Sequence, residues 1–358
     1  MLLHLIASAC LALQSGDSTE AAINRFGNEL LRNRHTVGFA VGVIENGREY
    51  RNYFGTVRKG TEQTPDGKTM FQLASVTKCF TAGLLAHAVH EGVVNLGDPV
   101  SKYLPNVQMP QSGSPITLLD LADQSSGLPR VLNTQGRRST SYEEMNAQLG
   151  TMRLSFEPGT GYLYSNLAYG VLSEALFKAS KAKTWMEMVE KEVTRPIGME
   201  DTTIFLTPEQ KARVAQGYTK LGEETNLANP AFPAINGAGA LYSDLDDMLK
   251  YLNYMIKGAK NGDPIVALML QAHNSMKSPG HGVGLAWQIV PLPDGKAIVD
   301  KDGAHVGFVS YICFVKGGNV GLVFLANSRF SCLAPCKQLF STLEKLPDFS
   351  GGEDEGGN

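Results

Sequence analysis

The stretch Phe71-Gln72-Leu73-Ala74-Ser75-Val76-Thr77-Lys78-Cys79-Phe80 sets a serine and a lysine three residues apart where an apolar helix begins. Positions three apart share a helix face, so Ser75 and Lys78 are predicted to point into one space. There an amine can take the hydroxyl proton as the oxygen attacks a carbonyl, which is the chemistry of a Ser-Lys nucleophile. Cys79 to His90 continues as an Ala- and Leu-rich run that closes at Glu91-Gly92, the signature of a mostly buried helix.

On the N-terminal side, Ala21, Ile23, Phe26, Leu30 and Leu31 recur at helical spacing, which predicts an amphipathic helix from Asp17 to about Arg32. Val37 to Glu45 and Arg48 to Tyr53 flank Asn46-Gly47, a hairpin turn. Beyond the Ser75 helix the chain reads as helix and loop to about Met199, with a short helix over Ile116 to Ala122. Helical periodicity recurs over Thr184–Val193 and Asp244–Ile256. Between these two, Asn236-Gly237-Ala238-Gly239-Ala240 is a small-residue stretch suited to close backbone approach. Leu285–Val290, Ala297–Val299, Phe308–Val315 and Gly321–Leu325 read as four strands, and Cys332–Leu346 as a last helix. The expected fold is α/β (α+β): an antiparallel sheet flanked by helices and completed by both ends of the chain, with an all-helical lobe inserted over about 79–235. The main domain is expected over 17–348 and a disordered Gly- and acid-rich tail over 349–358.

With 358 residues, 43% hydrophobic and 19% charged, the chain has the balance of a globular protein with a sizeable core. A net charge of −3 without a basic stripe argues against nucleic acid as a partner and leaves a small molecule or peptide as the expected one. A single-chain monomer is the expectation. Met1 to Gln14 is apolar with a small-x-small pattern at Ala7-Ser8-Ala9, which predicts a signal peptide over 1–16 and export to the periplasm or beyond. That run is short of the about 20 apolar residues that a spanning helix needs. Cys10 follows Ala9 as a lipidated cysteine would, but Ala7 stands where a bulky aliphatic is expected, so lipidation is disfavoured. The five cysteines form neither a disulfide framework nor a zinc set, and read as buried small hydrophobes; Cys332 and Cys336 are spaced to approach each other.

Each chemical motif is weak alone. Ser-x-x-Lys recurs at Ser180 and Lys183; Tyr-x-Asn occurs at Tyr50, Tyr164 and Tyr251; Lys-x-Gly starts at Lys220, Lys260, Lys301 and Lys316. Order and context together are specific. Ser75-Val76-Thr77-Lys78, then Tyr164-Ser165-Asn166 preceded by Glu157-Pro158-Gly159, resembles the serine β-lactamase and penicillin-binding-protein superfamily. Within it, the chain is most similar to the class C β-lactamases and low-molecular-weight D-alanyl-D-alanine peptidases. Supporting stretches are Asp98-Pro99-Val100-Ser101-Lys102-Tyr103-Leu104-Pro105, Ser126-Gly127-Leu128-Pro129 and Arg195-Pro196-Ile197-Gly198-Met199, and the likeness runs from about residue 20 to 345. The family's third motif, Lys-Thr-Gly with a later Gly-aromatic pair, is matched in spacing by Lys301-Asp302-Gly303 with Gly307-Phe308, in preference to His305-Val306-Gly307.

The resemblance implies that Ser75 is acylated, that Lys78 assists its deprotonation, and that Tyr164 carries the proton to the leaving nitrogen and later activates water. A phenol, with a reference pKa of about 10, needs cations beside it to act as a base at neutral pH; Lys78 and Lys301 would supply them. Asn166 would hold Lys78 and the substrate amide, and the backbone N–H groups of Ser75 and Ala304, beside Gly303, would form the oxyanion hole. No metal or cofactor is implied. Asp302 departs from the family's threonine. His305 is expected to be an exposed strand-end residue. Arg329, after Leu325-Ala326-Asn327, either anchors a substrate carboxylate or is a solvated loop charge. Three hydrolases fit: β-lactamase, D-Ala-D-Ala carboxypeptidase and carboxylesterase; a non-catalytic penicillin-binding sensor is disfavoured by the intact Ser75, Lys78 and Tyr164.

Overall fold

Val320–Ala326 reads Val-Gly-Leu-Val-Phe-Leu-Ala, with apolar or glycine residues throughout, as a strand buried on both faces must. The computed structural model, which describes residues 19–33, 36–133, 141–226, 233–275 and 281–346, makes it a central strand. The predicted signal peptide and the tail lie outside the described residues.

The chain opens with helix α1 (19–32) and the hairpin β1 (Gly38–Glu45) and β2 (Arg48–Gly55). Asn46 and Gly47 take φ of 51° and 82° between them, the left-handed conformations that a two-residue hairpin demands. β3 (Phe71–Gln72) leads into α2 (Thr77–His90), followed by α3 (Leu118–Ala122), α4 (Tyr142–Leu149), α5 (Asn166–Ala179), α6 (Trp185–Val189), α7 (Pro208–Arg213) and α8 (Asn236–Gly239). β4 (Tyr242–Ser243) pairs with β3 in a small separate sheet. The chain continues through α9 (Leu245–Asn261) and α10 (Pro264–Met269) into β5 (Asn274–Ser275), β6 (Gly282–Val283), β7 (Gln288–Pro291), β8 (Ala297–Ala304), β9 (Val309–Lys316) and β10 (Val320–Ala326), and ends on α11 (Leu333–Glu344).

The main sheet is antiparallel in the order β2-β1-β10-β9-β8-β7-β6-β5, so the N-terminal hairpin closes onto the C-terminal strands through the β1–β10 pair. Strand alternation assigns its two faces. Phe39, Val41, Tyr311, Leu322 and Phe324 pack under α1 and α11, while Ile312, Phe314, Val323 and Leu325 join the core built around α2, α5 and α9. Each such large side chain contributes roughly 2–3 kcal/mol by leaving water. Gly42 lets β1 meet α9, because a Cβ there would sit 2.8 Å from Leu249 Cδ2.

Candidate active site

The site begins at a turn under strain. β3 ends, Leu73 N–H donates to Leu241 O at 2.8 Å, and Ala74 adopts a φ of 45°, left-handed for a residue with a Cβ. Such a residue costs about 1–3 kcal/mol and persists only where its surroundings fix it. Here Ser310 Oγ of β9 donates to Leu73 O at 2.6 Å. Gly303 of β8 lies so close that a Cβ on it would fall 2.3 Å from Leu73 O and 3.0 Å from Ser75 N, which makes it a position that only glycine fits. Ser75 therefore sits in a 3-10 turn (Ala74–Val76) ahead of α2 rather than in the helix itself, half-buried among buried neighbours. In a 3-10 turn residues three apart eclipse, so the Ser-x-x-Lys pairing survives the change of helix type.

Lys78 is fully buried, with Nζ 3.2 Å from Ser75 Oγ, 2.8 Å from Asn166 Oδ1 and 2.7 Å from Ala238 O. Three acceptors match the three donors of an ammonium. Ala238 belongs to the small-residue stretch, now α8, which wedges against α2 and α5. A Cβ on Gly237 would fall 1.8 Å from Ser173 Oγ, and Thr81 Oγ1 donates to Gly237 O at 2.7 Å.

Tyr164 and Asn166 straddle the start of α5. Ser165 between them is its N-cap, accepting from Ala168 N at 2.9 Å and donating to Pro129 O at 2.7 Å. The Ser165 amide donates to Gln124 Oε1 at 2.5 Å and the Asn166 amide to Arg130 O at 2.8 Å, fixing the segment against the Asp123–Arg130 loop. Tyr164 OH ends 2.5 Å from Ser75 Oγ. Three cations lie against its ring: Lys78 Nζ at 4.8 Å from the centroid, Lys301 Nζ at 5.0 Å and Arg130 Cζ at 5.0 Å. Arg130 was not anticipated from sequence, although it directly follows the Ser126-Gly127-Leu128-Pro129 stretch.

Lys301 and Gly303 share the β8 face turned to α2 with Val299. Asp300, on the alternate face, accepts from Tyr311 OH at 2.8 Å and pairs with Lys337 of α11 at 3.6 Å. Alternation sets Asp302 on the Asp300 face, yet its Oδ1 still lies 3.9 Å from Lys301 Nζ, with both side chains buried. His305 N–H donates to Phe308 O at 2.9 Å, which marks a hydrogen-bonded pair. One step back along β8, the amide of Ala304 is then aimed away from β9, and β7 reaches only as far as the Gln288–Asp300 pair.

His305 is not the exposed residue expected from sequence: it is half-buried, and its Nδ1 is buried with no hydrogen-bond partner among the described residues. Burial, and secondly the charge of Arg329, push its imidazole below the ordinary value. Arg329 stands half-buried beside it, its amide donating to Tyr218 O at 2.8 Å, so it is not a fully solvated charge. The competing Ser180 and Lys183 lie away from this group: Ser180 caps the end of α5, and the Lys183 amide donates to Glu187 Oε2.

The loop under Tyr164 carries a titration of its own. Asp123 Oδ1 accepts from Ser125 N at 3.0 Å and Ser125 Oγ at 2.6 Å, yet burial outweighs these bonds and raises its carboxyl to about 6. A raised acid contributes stability that is complete below its unfolded value of about 4 and is lost as pH climbs through about 6. Asp123→Asn keeps an acceptor for Ser125 and is expected to stabilise the protein at pH 8 by on the order of 2 kcal/mol, with the difference fading toward pH 4. Urea melts of both proteins across this range check it; a constant difference at every pH would contradict it.

The Beta-lactamase family profile matches residues 23–334. The D-alanyl-D-alanine-carboxypeptidase/endopeptidase AmpH of Escherichia coli (strain K12) is 30% identical over 320 residues, covering 84% of this chain and 81% of that protein. A β-lactamase of Pseudomonas fluorescens is 27% identical, covering 84% and 91%. Among solved structures, the D-alanine carboxypeptidase AmpC of Burkholderia cenocepacia superposes with a TM-score of 0.81 at 23% identity, over 92% of this chain and all of that one. A class C β-lactamase mutant gives 0.79 at 21% identity, over 93% and 97%. With the profile running from α1 into α11 and the same fold in both structures, the chain belongs to the Beta-lactamase family and is a serine hydrolase.

Proposed function

We propose that this chain cleaves amides of the D-alanyl-D-alanine type through an acyl-enzyme on Ser75, outside the cytoplasm, and opens β-lactams only poorly. The observation that carries the reading is the double contact on Ser75 Oγ, from Lys78 Nζ at 3.2 Å and Tyr164 OH at 2.5 Å. With its three donors engaged, Lys78 acts as a fixed cation, and Tyr164 is the group that moves the proton. Positive charge from Lys78, Lys301 and Arg130 stabilises the Tyr164 oxygen whenever it is negative.

Ser75 Oγ attacks the carbonyl carbon while its proton passes to the Tyr164 oxygen. The oxyanion that forms faces the N–H groups of Ser75 and Ala304. Collapse breaks the C–N bond, and Tyr164 returns the proton to the departing nitrogen. Water then loses a proton to Tyr164 and attacks the ester carbonyl; the bond from that carbon to Ser75 Oγ breaks, the acid leaves, and Tyr164 passes the proton to Ser75 Oγ. Asn166 holds Lys78 in place and can reach the substrate amide. Arg329 and His305 lie at the β8–β9 end, where a peptide carboxylate would arrive.

Asp302 separates anionic from neutral substrates. Its carboxylate beside Lys301 offsets the charge that a substrate carboxylate would use, and unit charges about 4 Å apart interact by about 1–4 kcal/mol between water and protein-surface dielectrics. Asp302→Thr is therefore expected to raise kcat/KM for anionic β-lactams about tenfold or more, with little change for a neutral p-nitrophenyl ester. Equal changes for both, or efficient nitrocefin turnover by the unaltered protein, would count against this role. The same charge favours a second reading, an esterase, since esters need no carboxylate anchor. A panel of a D-Ala-D-Ala peptide, nitrocefin and p-nitrophenyl esters on the purified protein separates the two: release of D-alanine supports the peptidase, and ester turnover alone the esterase.

A further inference from the structure

Helix α2 borders a second void, away from Ser75. Beyond Lys78 by one turn and more, Gly83 and His87 line a partly open cavity of about 210 Å³ that is bordered by the π-helical turn Glu190–Thr194 and by α9 and α10. None of Ser75, Lys78, Tyr164, Asn166 or Lys301 contributes to its wall. Gly83 keeps the space open: a Cβ there would lie 3.4 Å from Val193 Cγ2 and 3.9 Å from Met269 Cε, so a longer side chain would grow into it. π-Helical turns are rare and occur frequently at functional sites.

Tyr251 of α9 lines this cavity, is 1% exposed, and its hydroxyl has no hydrogen-bond partner among the described residues. A buried phenol left unpaired costs about 1–3 kcal/mol, which a polar ligand atom would recover. Size limits the ligand: a void of about 150 Å³ holds benzene, so this one takes a single ring with a short chain. Val193, Ile265 and Met269 supply an apolar wall.

Charge then selects the head group. The carboxylates Glu192 and Asp263 line the cavity, with no Lys or Arg among its lining residues. Asp263 spends Oδ1 on the amides of Ile265 and Val266, at 2.9 and 3.0 Å, leaving its second oxygen as an acceptor. Glu192 pairs with Lys191, whose side chain is 73% exposed and well hydrated. Burial holds the His87 imidazole below its ordinary value, against the pull of Glu192, Glu91 and Asp263, so it adds no cation at neutral pH. Tyr251 stacks on Phe80 with ring centroids 4.5 Å apart, so the aromatic ring left on the cavity wall to attract a positive head is that of Tyr254.

We propose that this cavity is a binding site for a small organic ammonium, its ring or alkyl body on the apolar wall and its head among Tyr251, Glu192 and Asp263. Titration calorimetry at pH 7 with phenethylammonium, and with 2-phenylethanol as its neutral isostere, tests the assignment on the full chain. The expected result is saturable one-to-one binding of the amine, at least tenfold tighter than the alcohol, unchanged by Ser75→Ala. Glu192→Gln should weaken it several-fold and Gly83→Leu should abolish it. Should Gly83→Leu fail to fold by circular dichroism, Tyr251→Phe replaces it, with a several-fold loss expected. No saturable binding, equal affinity for amine and alcohol, or undiminished binding by the variants would overturn the proposal.

Discussion

Ser75→Ala is expected to lower kcat/KM by at least about 10⁴-fold for every substrate the protein turns over, while leaving it folded. The variant removes the oxygen on which Lys78 and Tyr164 converge. It leaves Lys78 its bonds to Asn166 Oδ1 and Ala238 O, and a half-buried methyl in place of a hydroxyl opens no core cavity. Initial rates on esters and on the D-Ala-D-Ala peptide, with a thermal melt as the folding control, measure this. Activity within tenfold of the parent would mean that another group is the nucleophile.

Tyr164→Phe and Lys78→Ala should each reduce kcat by about 10²–10⁴, the range for losing a positioned proton-transfer group. The two residues serve one proton on one oxygen, so the losses should not multiply. The double variant is expected to fall within about tenfold of the worse single one. Lys78→Ala should also lower stability by about 1–3 kcal/mol, because Asn166 Oδ1 and Ala238 O then lose a buried donor. Tyr164→Phe should not, since the ring and its packing remain. A double variant showing the full product of the two losses would contradict the coupled scheme.

Strands such as β9 and β10 were legible because both faces are buried and the run is apolar but for Ser310 and the terminal Lys316 of β9 and a glycine in β10. β5 and β6 were not: they are two residues each, at the sheet edge, with no β-branched run to mark them. Leu285 to Trp287, read as strand, is instead a turn in which Ala286 takes a φ of 72° and Gly284 N–H bonds Trp287 O at 2.9 Å. A local pattern cannot reveal such a reversal.

In the site, Ser75 and Lys78 are neighbours in sequence and could be paired from spacing alone. Tyr164 could not, since Tyr50 and Tyr251 begin equivalent tripeptides and only the fold puts them on β2 and α9. Arg130 and the Ala238 carbonyl escaped because one acts through a ring across the cleft and the other is a backbone atom that any residue provides. Asp302 was legible as a departure, but its position on the Asp300 face, still within 3.9 Å of Lys301, required the strand.

Intact-mass spectrometry of the protein mixed with benzylpenicillin, followed by peptide mapping, tests the acyl-enzyme most directly. The expected result is addition of one whole penicillin per chain on the peptide holding Ser75, slow to clear, and absent from Ser75→Ala. No adduct at saturating penicillin, or an adduct mapped to another residue such as Ser180, would contradict the account.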